Sequence, residues 1–157
     1  MSIFCIDNNI NFFNKSNMKV IELKYRVSIL LIEDDPEEIN TMKYILADYN
    51  DKVELRPMST GNEVYSFIDN FSFRYRKPDL IISNMNLNGT AAYDIIGKMK
   101  THLEFHHIPF VVLTNTEWEE DIVKCYERGA HSILTRPSNL KEYKTKIHML
   151  LAELFSA

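Results

Sequence analysis

From Val27 onward, short apolar blocks alternate with stretches whose apolar positions recur every three or four residues. Val27–Ile32 is, Ser28 apart, a run of β-branched residues and leucines, the pattern of a strand buried on both faces. Pro36, Glu37 and Glu38 follow, suited to the first turn of a helix, and Ile39, Met42, Ile45, Leu46 and Tyr49 then repeat at helical spacing. Val53–Met58 predicts a second strand, and Val64, Phe67, Ile68 and Phe71 mark one face of a second helix. A basic loop, Arg74–Pro78, leads into a third strand expected over Asp79–Asn84. Tyr93, Ile96 and Met99 define a third helix, and Pro109–Thr114 a fourth strand. Trp118, Ile122, Cys125 and Tyr126 line a fourth helix, which Gly129 should end. Ser132–Thr135 predicts a short fifth strand, and Leu140, Tyr143, Ile147, Leu150, Leu151 and Leu154 an amphipathic last helix.

Five strand–helix units in succession imply an α/β fold, a parallel sheet with helices on both faces. In such sheets chemistry collects at the carboxyl ends of the strands. Those ends here carry Glu33, Asp34 and Asp35 after strand one, Asn84 after strand three, Thr114 after strand four and Arg136 after strand five. Gathered at one edge they form a polar site of carboxylates, an amide, a hydroxyl and a guanidinium. Adjacent carboxylates at a strand end can hold a hard cation such as Mg²⁺ through oxygen. Either aspartate can equally cap the helix that follows.

Composition narrows the classes without naming one. The chain has 157 residues, 45% apolar and 25% charged, which suits a single globular domain that needs no disulfide to fold. Its net charge of −4 argues against general nucleic-acid binding. No apolar run approaches the ~18 residues of a membrane span, and no basic, apolar-cored leader opens the chain, so a cytoplasmic protein without a membrane partner is expected. Cys5 and Cys125 match neither zinc nor redox spacing, and His106-His107 lacks further ligands. Residues 1–26 carry a local charge of +2 against −6 for the remainder. The Asn-rich start lacks a period, so residues 1–23 are expected to form a flexible extension, with Met18 an alternative start, and residues 24–157 the folded domain.

Four segments in order carry a family resemblance. Ile29–Pro36 (ILLIEDDP) resembles the first strand and acidic pair of response-regulator receiver domains of the CheY-like type. Pro78–Gly89 (PDLIISNMNLNG) resembles the strand bearing their phospho-accepting aspartate. Phe110–Thr114 resembles the strand ending in a phosphate-sensing hydroxyl, and Gly129–Pro137 the segment with the active-site lysine and its proline. Thirty residues separate Asn84 from Thr114, and 22 separate Thr114 from Arg136. The resemblance implies a flavodoxin-like doubly wound sheet of order 2-1-3-4-5, and a place in two-component phosphorelay signalling. It implies Mg²⁺ held by Glu33, Asp34 and the Asn86 backbone carbonyl, phosphate sensing by Thr114, and a protein partner such as a histidine kinase.

Three positions depart from that pattern. Asn84 stands at the acceptor, Arg136 at the lysine and Ile133 at the switch aromatic. An amide oxygen is a far poorer nucleophile than a carboxylate, and a guanidinium does not imitate a compact ammonium. The expectation is a pseudo-receiver, not an enzyme, acting by protein contact, with weak or lost Mg²⁺ binding and Arg136 forked onto Glu33 or Asp34. Alternative acceptors are Ser83, which strand alternation turns away from Asn84, and Asp35. Flavodoxin and dehalogenase-type readings are weakly supported, because five acids in Glu33–Glu38 repel phosphate and Asp34-Asp35 are adjacent rather than two apart. The chain ends three residues after Leu154, which disfavours an attached DNA-binding domain. The expected contact or homodimer surface lies on the fourth and fifth helices, at Trp118, Tyr126, Lys141, Tyr143 and Lys144, although Tyr126 and Tyr143, each taken alone, suit the core slightly better.

Overall fold

The computed structural model describes residues 20–115 and 118–157. Seven strands and five helices run in the order β1 (Val27–Ile32), α1 (Pro36–Leu46), β2 (Val53–Met58), α2 (Gly61–Asp69), β3 (Leu80–Asn84), β4 (Asn86–Leu87), β5 (Thr90–Ala91), α3 (Ala92–Lys100), β6 (Phe110–Thr114), α4 (Glu119–Arg128), β7 (Ser132–Thr135) and α5 (Leu140–Phe155). The main sheet is parallel with order β2-β1-β3-β6-β7, which is the expected 2-1-3-4-5 order once the small hairpin is set aside.

That hairpin, β4–β5, was not foreseen. It turns at Asn88-Gly89, both at positive φ (41° and 95°), where an asparagine–glycine pair suits a tight turn between antiparallel strands. A 3-10 segment at Ala47–Lys52, also unforeseen, joins α1 to β2. The third and fourth strands start one residue later than expected. Asp79 instead accepts from the Ser28 amide at 2.8 Å, tying the start of β3 to β1, and Pro109 precedes β6.

Strand alternation divides the apolar residues between two cores. Ile29, Leu31, Leu80, Ile82, Val111 and Leu113 face α1 and α5. Leu30, Ile32, Ile81, Phe110, Val112 and Ile133 face α2, α3 and α4. The central strands β1, β3 and β6 are thus apolar on both sides, as their continuous runs require. Edge strand β2 alternates, and there Pro57, which lacks an amide donor, is tolerated.

Gly129 ends α4 in the left-handed conformation at φ 110°, as expected. Trp118 departs from the apolar face assigned to it: it precedes α4 and is 68% exposed. Of the expected extension, residues 20–23 belong to the folded body. Leu23 is buried and bridges to Ser156, Lys24 donates to the Phe155 carbonyl, and Ala157 donates to that of Glu22. Residues 1–19, with Cys5 and Met18, lie outside the described residues.

Candidate functional site

Parity along the strands decides which terminal side chains meet. Counting from the α1/α5 core, Ile29, Leu31 and then Glu33 point the same way, as do Leu80, Ile82 and Asn84. Leu134 and Arg136 share that side. Glu33, Asn84 and Arg136 therefore converge where β1, β3 and β7 end under α5. Thr114 follows Val112 toward the opposite core, so it borders the site from the α3/α4 side.

Glu33 is the hub. Its side chain is 2% exposed and that of Arg136 is 8%, and Arg136 Nη2 donates to Glu33 Oε2 at 3.0 Å. Glu33 Oε1 accepts the backbone amides of Asp34 (3.0 Å) and Asp35 (3.1 Å) and, more loosely, the Asn84 side-chain amide (3.4 Å). Both carboxylate oxygens are thus engaged, as a buried charge requires. Burial pushes the Glu33 carboxyl above its ordinary range, opposed by the Asp35 amide and the Arg136 guanidinium. For Arg136, burial alone would weaken proton binding, but Tyr143, Glu38 and Glu33 outweigh it and the group is held above its ordinary value.

Arg136 does not reach Asp34, the other expected partner. Its second carboxylate is Glu38, whose Oε2 lies 3.2 Å from Nε, an ion pair out of line for a hydrogen bond. Glu38 and Tyr143 are the site residues the sequence reading missed. Glu38 sits in the first turn of α1, three residues beyond the Asp35 cap, on the side facing the strand ends. Tyr143 is 4% exposed, so it completes the core on the apolar face of the last helix instead of the contact surface, and there it acts electrostatically on Arg136.

The remaining positions are settled locally. Asp35 caps α1, accepting from the Glu37 amide at 2.9 Å. Asn84 Oδ1 accepts the Met85 amide at 2.9 Å. Ser83 is fully buried on the opposite face, and its hydroxyl donates to the Asn84 carbonyl at 2.9 Å. Thr114 is buried, while Asn86 is exposed at the start of β4. Asn84, Met85, Asn86, Thr114, Asn115 and Trp118 line an open cleft of about 510 Å³.

Ile133 is buried, and its backbone amide donates to the Tyr126 hydroxyl of α4 at 3.2 Å. Cys125 is buried against Met85, sulfur to sulfur at 3.6 Å, with its thiol pushed up to about 11 by desolvation. It is a core side chain and not a reactive thiol.

Glu33 is committed to Arg136 and two amides, Asn84 supplies no charge, and Glu38 belongs to Arg136. Among the described residues no group of three or more His, Cys, Asp or Glu side chains is placed to hold a metal. Nor is any described helix long and apolar enough to cross a membrane.

A doubly wound parallel sheet with an acidic first-strand end, a polar third-strand end and a cation after the last strand defines a receiver-type signalling module. The family model of the response regulator receiver domain matches residues 29–148, and the chain belongs to that family. Among curated proteins it is similar to response regulator Rcp1 of Synechocystis sp., 27% identical over 117 residues, which cover 73% of this chain and 79% of Rcp1. It is also similar to response regulator Rre1 of the same organism, 26% identical over 127 residues, covering 80% of this chain but only 52% of Rre1. Among solved structures, the phosphorylated cyanobacterial phytochrome response regulator RcpA superposes with a TM-score of 0.75 at 22% identity, covering 82% of this chain and 94% of that one. The Mn²⁺-bound form of Rcp1 superposes with a TM-score of 0.71 at 24% identity, covering 80% and 92%.

Proposed function

We propose that this receiver domain is a pseudo-receiver, a non-enzymatic module that signals by protein contact without accepting a phosphoryl group. The observation that carries the reading is Asn84 at the end of β3, with its amide directed at Glu33 and its carbonyl oxygen held by the Met85 amide. Transfer from a phosphohistidine needs a carboxylate there, and positioning by nearby charges does not create a nucleophile.

Arg136 supports the same reading. A cation that follows an incoming phosphoryl group must be free to move, whereas this one is buried between Glu33 and Glu38. The alternative acceptors are poorly placed: Ser83 is sealed in the α2–α4 core and Asp35 is spent on a helix cap. Magnesium binding is weakened in this reading, since a metal would have to displace Arg136 from Glu33. The partner is a protein of a two-component pathway, a histidine kinase or a component downstream of one.

Incubation with acetyl phosphate and Mg²⁺, followed by intact mass measurement at neutral pH, tests the proposal. The expected result is an unchanged mass. A gain of one phosphoryl group would overturn it, and peptide mapping would then decide between Ser83 and Asp35.

A further inference from the structure

Charged and apolar surface is distributed unequally between the two ends of the sheet. The loops that precede β3 and β6 carry the most exposed apolar side chains among the described residues, Phe73 at 87% and Leu103 at 86%. These loops are joined. Lys77 reaches Glu104 at 3.6 Å, and Phe71 contacts both Phe73 and Phe105, with ring centroids 5.9 and 5.0 Å apart. Tyr75 is half exposed beside them, with the Arg56 guanidinium over its ring at 5.5 Å. Residues 70–78 contain Arg74, Arg76 and Lys77 and no acid. Arg76 and Lys77 are paired with Asp79 and Glu104, while the exposed Arg74 side chain has no ion pair among the described residues. These loops thus present exposed apolar side chains beside a cation, Arg74, that is unpaired among the described residues.

The start of α4 has the opposite character and lies at the other end of the strands, beyond the close of β6. Trp118 is 68% exposed and Val123 45%. Glu119, Glu120 and Asp121 occupy the first turn and Glu127 the same face two turns on. Glu120 is paired with Lys124 at 3.3 Å, while Glu119 and Glu127 have no ion pair among the described residues. An open depression of about 610 Å³ runs beside Glu119, Val123 and Glu127. Exposed apolar surface rimmed by charge marks an interaction site, and charge complementarity selects what it meets.

We propose that these two surfaces recognise each other between copies of the chain: the Phe73/Leu103 loops of one copy seat on the Glu119/Val123/Glu127 depression of the next, with Arg74 opposite Glu119 and Glu127. Because the surfaces lie at opposite ends of the sheet, one copy cannot satisfy both itself. The contact is therefore heterologous and head-to-tail, and it adds copies in series unless the rotation closes a ring. It is distinct from a two-fold pairing through α4 and α5. It also does not depend on the pseudo-receiver reading, since none of these side chains belongs to the Glu33–Arg136 cluster.

Analytical ultracentrifugation of the full chain, with one variant per surface, tests this. The weight-average mass should rise with concentration. It should fall back as salt goes from about 0.01 M to about 1 M, a range over which the screening length shrinks from about 30 Å to about 3 Å. Phe73→Ser/Arg74→Ser and Glu119→Gln/Val123→Ser change only exposed positions and create no new opposite-charge pair, so both should fold with unaltered circular dichroism. Each alone should stay monomeric. Mixed, they retain one intact surface of each kind and should form a 1:1 dimer that grows no further. A wild-type chain that stays monomeric at all concentrations would overturn the proposal, as would either variant that associates as wild type does, or a mixture that stays monomeric.

Discussion

Arg136 and Glu33 are 103 residues apart in sequence and meet at 3.0 Å, with both side chains more than nine-tenths buried. The pair stands at the closing ends of β7 and β1, with Asn84 at the end of β3 beside it. Its energetic meaning follows from desolvation. A buried ion pair adds little net stability compared with an apolar pair of the same shape, yet removing one partner strands the other charge.

Arg136→Ala should therefore destabilise the domain by about 3–5 kcal/mol, because Glu33 keeps its burial and loses its cation. Arg136→Met combined with Glu33→Gln should recover most of that loss. Urea unfolding followed by circular dichroism reads both. If the double variant were no more stable than Arg136→Ala, the pair would not be the unit described here.

Asn84→Asp places a carboxylate where an amide now donates to Glu33 Oε1 at 3.4 Å. Without metal the variant should lose about 1–3 kcal/mol through repulsion and a lost donor. Mg²⁺ should then stabilise the variant in proportion to its occupancy, raising its Tm, and should move wild type little. Isothermal titration with Mg²⁺ checks the same point. Equal affinity in the two proteins would sink the claim that this site is locked against metal.

Ile133 and Tyr126 offer a different handle. In the family the Ile133 position often carries a mobile aromatic, whereas here a buried isoleucine offers its amide to a tyrosine of the neighbouring helix. Tyr126→Phe removes that acceptor and should cost about 1–3 kcal/mol by leaving a buried N–H unpaired. Amide exchange at Ile133 should speed up relative to Leu134. Unchanged exchange would show that the hydroxyl does not fasten α4 to β7.

Much of this architecture could be read in the chain. The runs Val27–Ile32 and Phe110–Thr114 lack alternation, which only a strand covered on both sides tolerates, and the two cores of the fold follow from that. The strand-end residues were legible for the same reason, since parity from a buried run dictates where Glu33, Asn84 and Arg136 point. What could not be read depended on contacts remote in sequence. Glu38 and Asp34 are both acids near the first strand's end, and only the packing of α1 gives Arg136 to Glu38. Tyr143 and Trp118 have amphipathic side chains that suit core or surface equally. Helix phase turned the tyrosine inward to Arg136 and left the tryptophan outside. The β4–β5 hairpin is too short for periodicity to reveal, although its Asn88-Gly89 turn was written in the sequence.

The last prediction concerns α5 away from the site. His148 is buried, donates from Nε2 to the Ile45 carbonyl at 3.4 Å and lies tilted against Tyr49, with ring centroids 5.1 Å apart. Desolvation pushes its pKa below the ordinary 6.5; the Ile45 carbonyl opposes this, Lys144 adds to it and Asp48 opposes it again. Lys144 and Asp48 are themselves paired at 2.6 Å, so neither is a free counter-charge for an imidazolium. A base whose folded pKa lies below its unfolded value binds fewer protons in the native state, so stability must fall as pH drops. The loss should begin near pH 6.5, where the unfolded imidazole takes up its proton, and should level off below the folded pKa. Urea midpoints for wild type should therefore decline on acidification through this window, beyond what the carboxylates contribute at lower pH. His148→Gln keeps a side-chain amide to offer Ile45 and cannot titrate, so its midpoint should be flatter over the same interval. Parallel profiles for the two proteins would show that His148 is not the group responsible.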